Sequence, residues 1–158
     1  MSKIAIIMGS KSDLETMQET ADVLKEFGVE YQMRVLSAHR TPKEVVEYAL
    51  LAKDNGIKVI IAGAGGAAAL AGVIAAHTTL PVIGVPIETK SLKGMDSLLS
   101  TVQMPDDIPV ACMAIGKPGA KNAGLLALEI LAISDNGIQK KLERYKKDLV
   151  KKVKEIRL

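Results

Sequence analysis

The sequence predicts an α/β fold, a three-layer αβα sandwich with helices wrapped on both faces of a parallel sheet. Three observations carry that prediction. Short apolar, β-rich runs alternate with stretches of helical periodicity. The links between them are short, so right-handed crossovers set successive strands side by side. The run Ile57-Lys58-Val59-Ile60-Ile61-Ala62 offers apolar side chains to both faces, as a strand covered on both sides requires.

The elements follow in order. A first strand is expected over Lys3 to Met8, then a helix over Leu14 to Phe27 stopped by Gly28. A second strand is expected over Glu30 to Leu36, and a second helix from Pro42 to Asn55, ending at Gly56. The third strand, Ile57 to Ala62, leads through a glycine-rich turn into a small-residue helix reaching about Thr78. Further strands are expected over Pro81 to Val85 and Val110 to Ile115, and helices over Ala120 to Ile133 and Asn136 to Leu158. Residues 86–109 lack clear periodicity and carry Pro86, Gly94, Pro105 and Pro109. Irregular chain of that length is usually functional or packed on a neighbour.

The 158 residues fit one domain, with no repeat and no low-complexity linker. Only 3% are aromatic and none is Trp, which leaves few platforms for stacking nucleic-acid bases. Net charge is +3, but residues 139–158 hold nine Lys or Arg against three acids. The remaining chain is slightly acidic, which speaks against a nucleic-acid surface. The apolar stretch Val59 to Ala76 divides into a β-branched part and a small-residue part, so no membrane span is expected. The opening run is too short for a signal peptide, and the expected location is cytoplasmic. The single cysteine, Cys112, lies in an apolar run and is expected to be a buried structural thiol. His77, at a helix end, is expected to cap it. Two separated histidines and no acidic cluster leave no metal site to predict.

Ligands of such sheets bind outside the carboxyl ends of the strands. Three clusters fall there: Gly9 to Asp13, Ser37 to Thr41, and Gly63 to Gly66. In the first, Ser12 and Glu15 fit a capping box. The same helix start offers N–H groups and a positive dipole end to an anion. Gly9 permits close backbone approach, Ser10 and Ser12 add hydroxyls, and Asp13 suits sugar hydroxyls better than phosphate. The stretch reads as a phosphoribosyl cradle, although its spacing is neither the Rossmann fingerprint nor a P-loop.

In the second cluster, Thr41 with Glu44 makes another capping box and Pro42 suits the first helical position. Arg40 beside a helix start is electrostatically unfavourable unless an anion sits there, and its guanidinium suits phosphate or carboxylate. His39 is the best proton-transfer candidate in the chain. In the third, bare amides of Gly63, Ala64, Gly65 and Gly66 can wall a pocket while small side chains leave room for a planar ring.

Met8-Gly9-Ser10-Lys11-Ser12-Asp13, Ser37-Ala38-His39-Arg40-Thr41-Pro42, Gly63-Ala64-Gly65-Gly66-Ala67-Ala68, and Asp96-Ser97-Leu98 with Val102-Gln103-Met104-Pro105 together resemble the class I N5-carboxyaminoimidazole ribonucleotide mutase family of purine biosynthesis. The resemblance runs from Ile4 to about Ile133. It implies a flavodoxin-like sandwich, no metal or organic cofactor, and an octamer with active sites built between subunits. It implies reversible carboxylate transfer from the exocyclic nitrogen to ring C4 of aminoimidazole ribonucleotide. By residue, it implies phosphate binding at Ser10, Ser12 and Arg40, ribose binding at Asp13 and acid/base catalysis at His39. Gly9, Ser37, Ala38, Leu70 and the Gly63–Gly66 backbone complete the implied substrate site. One departure stands out: His-Leu-Pro-Gly is common after the glycine run in that family, and here it is Ala69-Leu70-Ala71-Gly72.

Two other readings remain open. One is direct carboxylation of aminoimidazole ribonucleotide with free CO₂; the other is a phosphoribosyl-ligand sensor without catalysis. In the last helix, Ile138, Leu142, Tyr145, Leu149, Val153 and Ile156 form one apolar stripe, expected to dock on a neighbouring subunit.

Overall fold

The computed structural model describes residues 2–157. Its strands are β1 (Ile4–Met8), β2 (Tyr31–Val35), β3 (Val59–Ala64), β4 (Val82–Pro86) and β5 (Ala111–Cys112). They form one sheet in the order β2-β1-β3-β4-β5, every pair parallel. The helices are α1 (Leu14–Glu26), α2 (Pro42–Leu51), α3 (Leu70–Ala75), α4 (Met95–Val102), α5 (Lys117–Ala132) and α6 (Asn136–Lys154). The predicted αβα sandwich is the observed one.

Strand periodicity explains the two cores. On β1, Ile4, Ile6 and Met8 pack among α1, α5 and the first half of α6. Ala5 and Ile7, on the opposite face, pack with Val45 and Ala49 of α2 and Leu70 and Ile74 of α3. Both faces are dry, which is why the inner strands are almost wholly apolar. The closest helix pair is α1 with α5, where Ala120, Ala123, Gly124 and Ala127 keep the seam thin. There Thr20 Oγ1 donates to Ala120 O at 2.7 Å, so the one buried hydroxyl of α1 is satisfied across the seam.

Four expectations are corrected. The stretch 86–109 contains α4; its apolar residues Met95, Leu98, Leu99 and Val102 have helical spacing, yet Met95, Leu99 and Val102 are exposed and the buried side is Ser97 and Thr101. β5 shrinks to two residues because it is an edge strand paired only to β4, at Ile83↔Ala111 and Gly84↔Cys112. Cys112 on that edge is consequently half-buried, not fully enclosed, and its partial burial pushes the thiol pKa up. The small-residue helix ends at Ala75, short of Thr78. As expected, His77 serves that helix end: its Nδ1–H donates to Val73 O at 2.8 Å.

Sheet order places the site. The chain runs from β1 outward to β2, then returns past β1 to β3. The loops leaving the carboxyl ends of β1 and β3 diverge there, opening a crevice at this switch point. Gly9 N, just beyond β1, donates to Gly63 O of β3 at 3.1 Å and closes the crevice floor.

Candidate active site

Loops from β1, β2, β3 and β4 meet around a cleft of about 530 Å³. That volume lies within the range of small-molecule sites.

From β1, the chain passes through Gly9 into a single 3₁₀ turn, Lys11–Asp13, that runs directly into α1. Ser10 caps this turn. Its Oγ accepts from Ser12 N at 3.3 Å and lies 3.0 Å from Ser12 Oγ, while Ser10 N donates to Asp13 Oδ2 at 3.0 Å. The reciprocal cap therefore pairs Ser10 with Asp13, not Ser12 with Glu15 as the spacing predicted. The extra 3₁₀ turn moves the helix start two residues earlier. Glu15 instead pairs with Lys117 of α5 at 2.7 Å. Asp13 is only 8% exposed. Burial pushes its carboxyl above the usual range, and the Ser10 N–H, the Arg40 charge and the Gly9 N–H partly oppose this.

From β2, residues 37–41 close into a turn. Thr41 N donates to Ser37 O at 2.8 Å, and Thr41 Oγ1 accepts from Ser37 N at 2.9 Å. The Thr41 hydroxyl is occupied by the turn behind it, so Thr41 is the N-cap by position but makes no capping box with Glu44. Pro42 takes the first helical position as predicted. Arg40 is held by Ser37 Oγ, which accepts from its backbone N at 3.1 Å and its Nε at 3.3 Å. A terminal guanidinium nitrogen donates to Gly9 O at 2.8 Å. Arg40 thus fastens the β2 loop to the β1 loop and leaves its other N–H groups without a partner among the described residues. The His39 side chain is exposed at the cleft and makes no hydrogen bond among the described residues.

From β3, Ala64, Gly65, Ala67, Ala69 and Leu70 form the next wall. Gly63 and Gly66 do not line the cleft. Gly63 lies inside β3, where a Cβ would run into the Met17 side chain of the core. Gly66, at φ +72°, turns its N–H away toward Ser97 Oγ at 3.0 Å. All the other residues predicted for the site come together: Gly9, Ser10, Ser12, Asp13, Ser37, Ala38, His39, Arg40, Ala64, Gly65 and Leu70.

The fourth wall was missed. Ile87, Glu88, Thr89 and Lys90 follow β4 and line the cleft. The strand-end rule that selected the other three loops applies equally after Val85, but these residues contain no glycine run or paired hydroxyls to draw attention. Thr89 organises the segment: its Oγ1 donates to Asp96 Oδ1 at 2.8 Å and accepts from Leu92 N at 3.4 Å and Gly94 N at 3.3 Å. Lys90 joins Arg40 as a second cation in the cleft lining, which also includes the acids Asp13 and Glu88.

Fold and cleft define a doubly wound α/β protein with a polar cleft at its topological switch point. The sequence pattern of AIR carboxylase matches residues 3–152, and the chain belongs to that family. It is 60% identical over 149 residues to the N5-carboxyaminoimidazole ribonucleotide mutase of Pyrococcus abyssi (strain GE5 / Orsay), covering 94% of this chain and 84% of that protein. It is 54% identical over 158 residues to the mutase of Saccharolobus solfataricus, covering 100% and 99%. The crystal structure of Treponema denticola PurE superposes with a TM-score of 0.86 at 31% identity, covering 96% of this chain and 94% of that one.

Proposed function

We propose that the cleft converts N5-carboxyaminoimidazole ribonucleotide to 4-carboxyaminoimidazole ribonucleotide, an isomerase step of purine biosynthesis. Relatives at 52–60% identity carry that mutase name. The observation that carries the reading at the site is the joining of His39 and Arg40 from the β2 loop with Ser10 from the β1 loop around one cleft.

The phosphate binds where Ser10, Ser12 and the unpartnered N–H groups of Arg40 converge. Charge-assisted hydrogen bonds from a guanidinium are well suited to that group. Asp13, beside them, accepts from ribose hydroxyls. The imidazole ring lies against Ala64, Gly65 and Leu70, where small side chains leave it room. The N–C bond of the substrate carbamate then breaks, releasing CO₂ inside the cleft, and the nitrogen takes a proton. Ring C4 attacks that CO₂, forming the new C–C bond, and the C4 proton leaves. His39 gives the first proton and receives the second, so the enzyme ends as it began. Holding CO₂ against C4 is the protein's main contribution, by positioning and exclusion of water.

The chain acts as a homo-oligomer, in keeping with the octamer its sequence resemblance implies. Leu92, Met95, Leu99 and Val102 form an exposed apolar strip around α4. On α6, Ile138 and Leu142 are buried and Tyr145 packs edge-on against Phe27, but Leu149, Val150 and Val153 are exposed, as is Ile156 just past the helix end. A neighbouring subunit covering both strips accounts for them. Among the described residues no helix is long and apolar enough to cross a membrane; the protein works in the cytoplasm on a small phosphoribosyl substrate.

The test is turnover of N5-carboxyaminoimidazole ribonucleotide by the purified protein, with and without added bicarbonate. Turnover independent of bicarbonate is expected. A strict bicarbonate requirement would instead assign direct carboxylation, and binding without turnover a sensor.

A further inference from the structure

α4 is inverted relative to an ordinary surface helix. Ser97 is 0% exposed and Thr101 is 3%, while its larger apolar residues face outward. A buried hydroxyl needs partners, and that of Ser97 has two. Its Oγ donates to Ile87 O at 2.6 Å and accepts from Gly66 N at 3.0 Å. Ile87 lines the cleft just beyond β4, and Gly66 lies between the cleft-lining residues Gly65 and Ala67. The two loops share one backbone hydrogen bond, from Ile87 N to Ala64 O at 2.9 Å. Ser97 adds the second tie two residues further along the glycine turn. Gly66 O is also occupied, accepting from Ala68 N at 2.8 Å with Ser100 Oγ 3.2 Å away.

We propose that Ser97 is a positioning residue for the mutase reaction: by joining Ile87 O to Gly66 N it sets the glycine turn whose backbone walls the cleft. The proposal rests on the mutase reading above. A hydroxyl is required because the site must donate to a carbonyl and accept from an amide at once. With alanine there, both backbone groups are left unsatisfied in a buried place, and the turn relieves this by swinging the Gly66 amide toward water. That motion carries Gly65 and Ala67 with it. Shifts of about 1 Å at a substrate wall are enough to cost roughly a hundredfold in rate.

The experiment compares Ser97→Ala with Thr101→Val. Thr101 Oγ1 donates to Ser97 O at 2.8 Å within the same helix and makes no hydrogen bond to a cleft loop among the described residues. Thr101→Val therefore removes a buried hydroxyl without touching the clamp. Ser97→Ala is expected to lower kcat/KM roughly ten- to a hundredfold, and to speed hydrogen exchange of peptides covering 63–70 with little change elsewhere. Thr101→Val, at a comparable loss of Tm, should keep kcat/KM within about twofold of wild type and leave exchange at 63–70 unaltered. Equal kcat/KM in the two variants, or unaltered exchange of 63–70 in Ser97→Ala, would overturn the proposal. Should Ser97→Ala not fold, Ser97→Cys keeps the shape while weakening both hydrogen bonds, and should show the same two effects in milder form. An inactive wild type would refute the mutase reading, and exchange of 63–70 would still decide whether Ser97 holds the turn.

Discussion

Arg40 and Gly9, 31 residues apart, are joined by a guanidinium-to-carbonyl hydrogen bond of 2.8 Å. The bond locks the loop carrying His39 onto the loop carrying Ser10 before any ligand arrives. Preorganisation of this kind lowers the ordering cost of binding.

Arg40→Lys should therefore fail although charge is kept. Lysine is a point donor and cannot reach Ser37 Oγ, Gly9 O and a phosphate together. Charge-assisted hydrogen bonds contribute about 1.5–3 kcal/mol each, so kcat/KM should fall on the order of ten- to a hundredfold. Steady-state kinetics will read this, and because Arg40 is exposed the melting temperature should barely move.

His39→Asn should lower kcat by roughly 10²–10⁴, the usual worth of a positioned acid/base. The His39 side chain is exposed and makes no hydrogen bond among the described residues, so circular dichroism and Tm should match wild type. Near-normal turnover in this variant would remove His39 from the mechanism.

Asp13 gives stability a pH dependence of definite sign. Its folded pKa is raised above the unfolded 3.8, chiefly by burial. Below that value both states are protonated and there is no penalty; as pH rises through the raised folded value, the cost of ionising a buried carboxyl appears in full. Asp13→Asn, neutral throughout, escapes this cost. The Tm of wild type minus that of Asp13→Asn should thus decrease as pH rises from 3.8 through the raised folded value. A difference that stays constant or grows would contradict the assignment.

Thr20→Val tests the α1–α5 seam away from the cleft. It removes the 2.7 Å bond to Ala120 O while keeping the shape. A loss of about 1 kcal/mol in chemical denaturation is expected, with kcat/KM unchanged.

Leu149→Arg with Val153→Arg tests subunit contact. Both positions are exposed in the single chain, at 43% and 69%. Sedimentation velocity should show a smaller assembly than wild type; identical sedimentation of the two proteins would place the interface elsewhere.

The sequence by itself determined the strand and helix order, the parallel sheet and most of the cleft. Those features are written locally: period-2 apolar runs, glycines at helix ends, hydroxyls and a cation clustered after strands. Tertiary structure alone decided which local possibility won. Ser12 and Thr41 both carry good capping signatures, but a 3₁₀ turn before α1 and a closed turn behind Thr41 satisfy the same donors differently. Gly63 and Gly66 look like neighbours of Gly65, yet one packs on Met17 and the other on Ser97. The amphipathic spacing of α4 is visible, but which side it buries is not. Its inner face depends on backbone groups of the glycine turn and of Ile87 just beyond β4, brought beside it only when the sheet assembles, because an unsatisfied buried amide costs more than an exposed leucine.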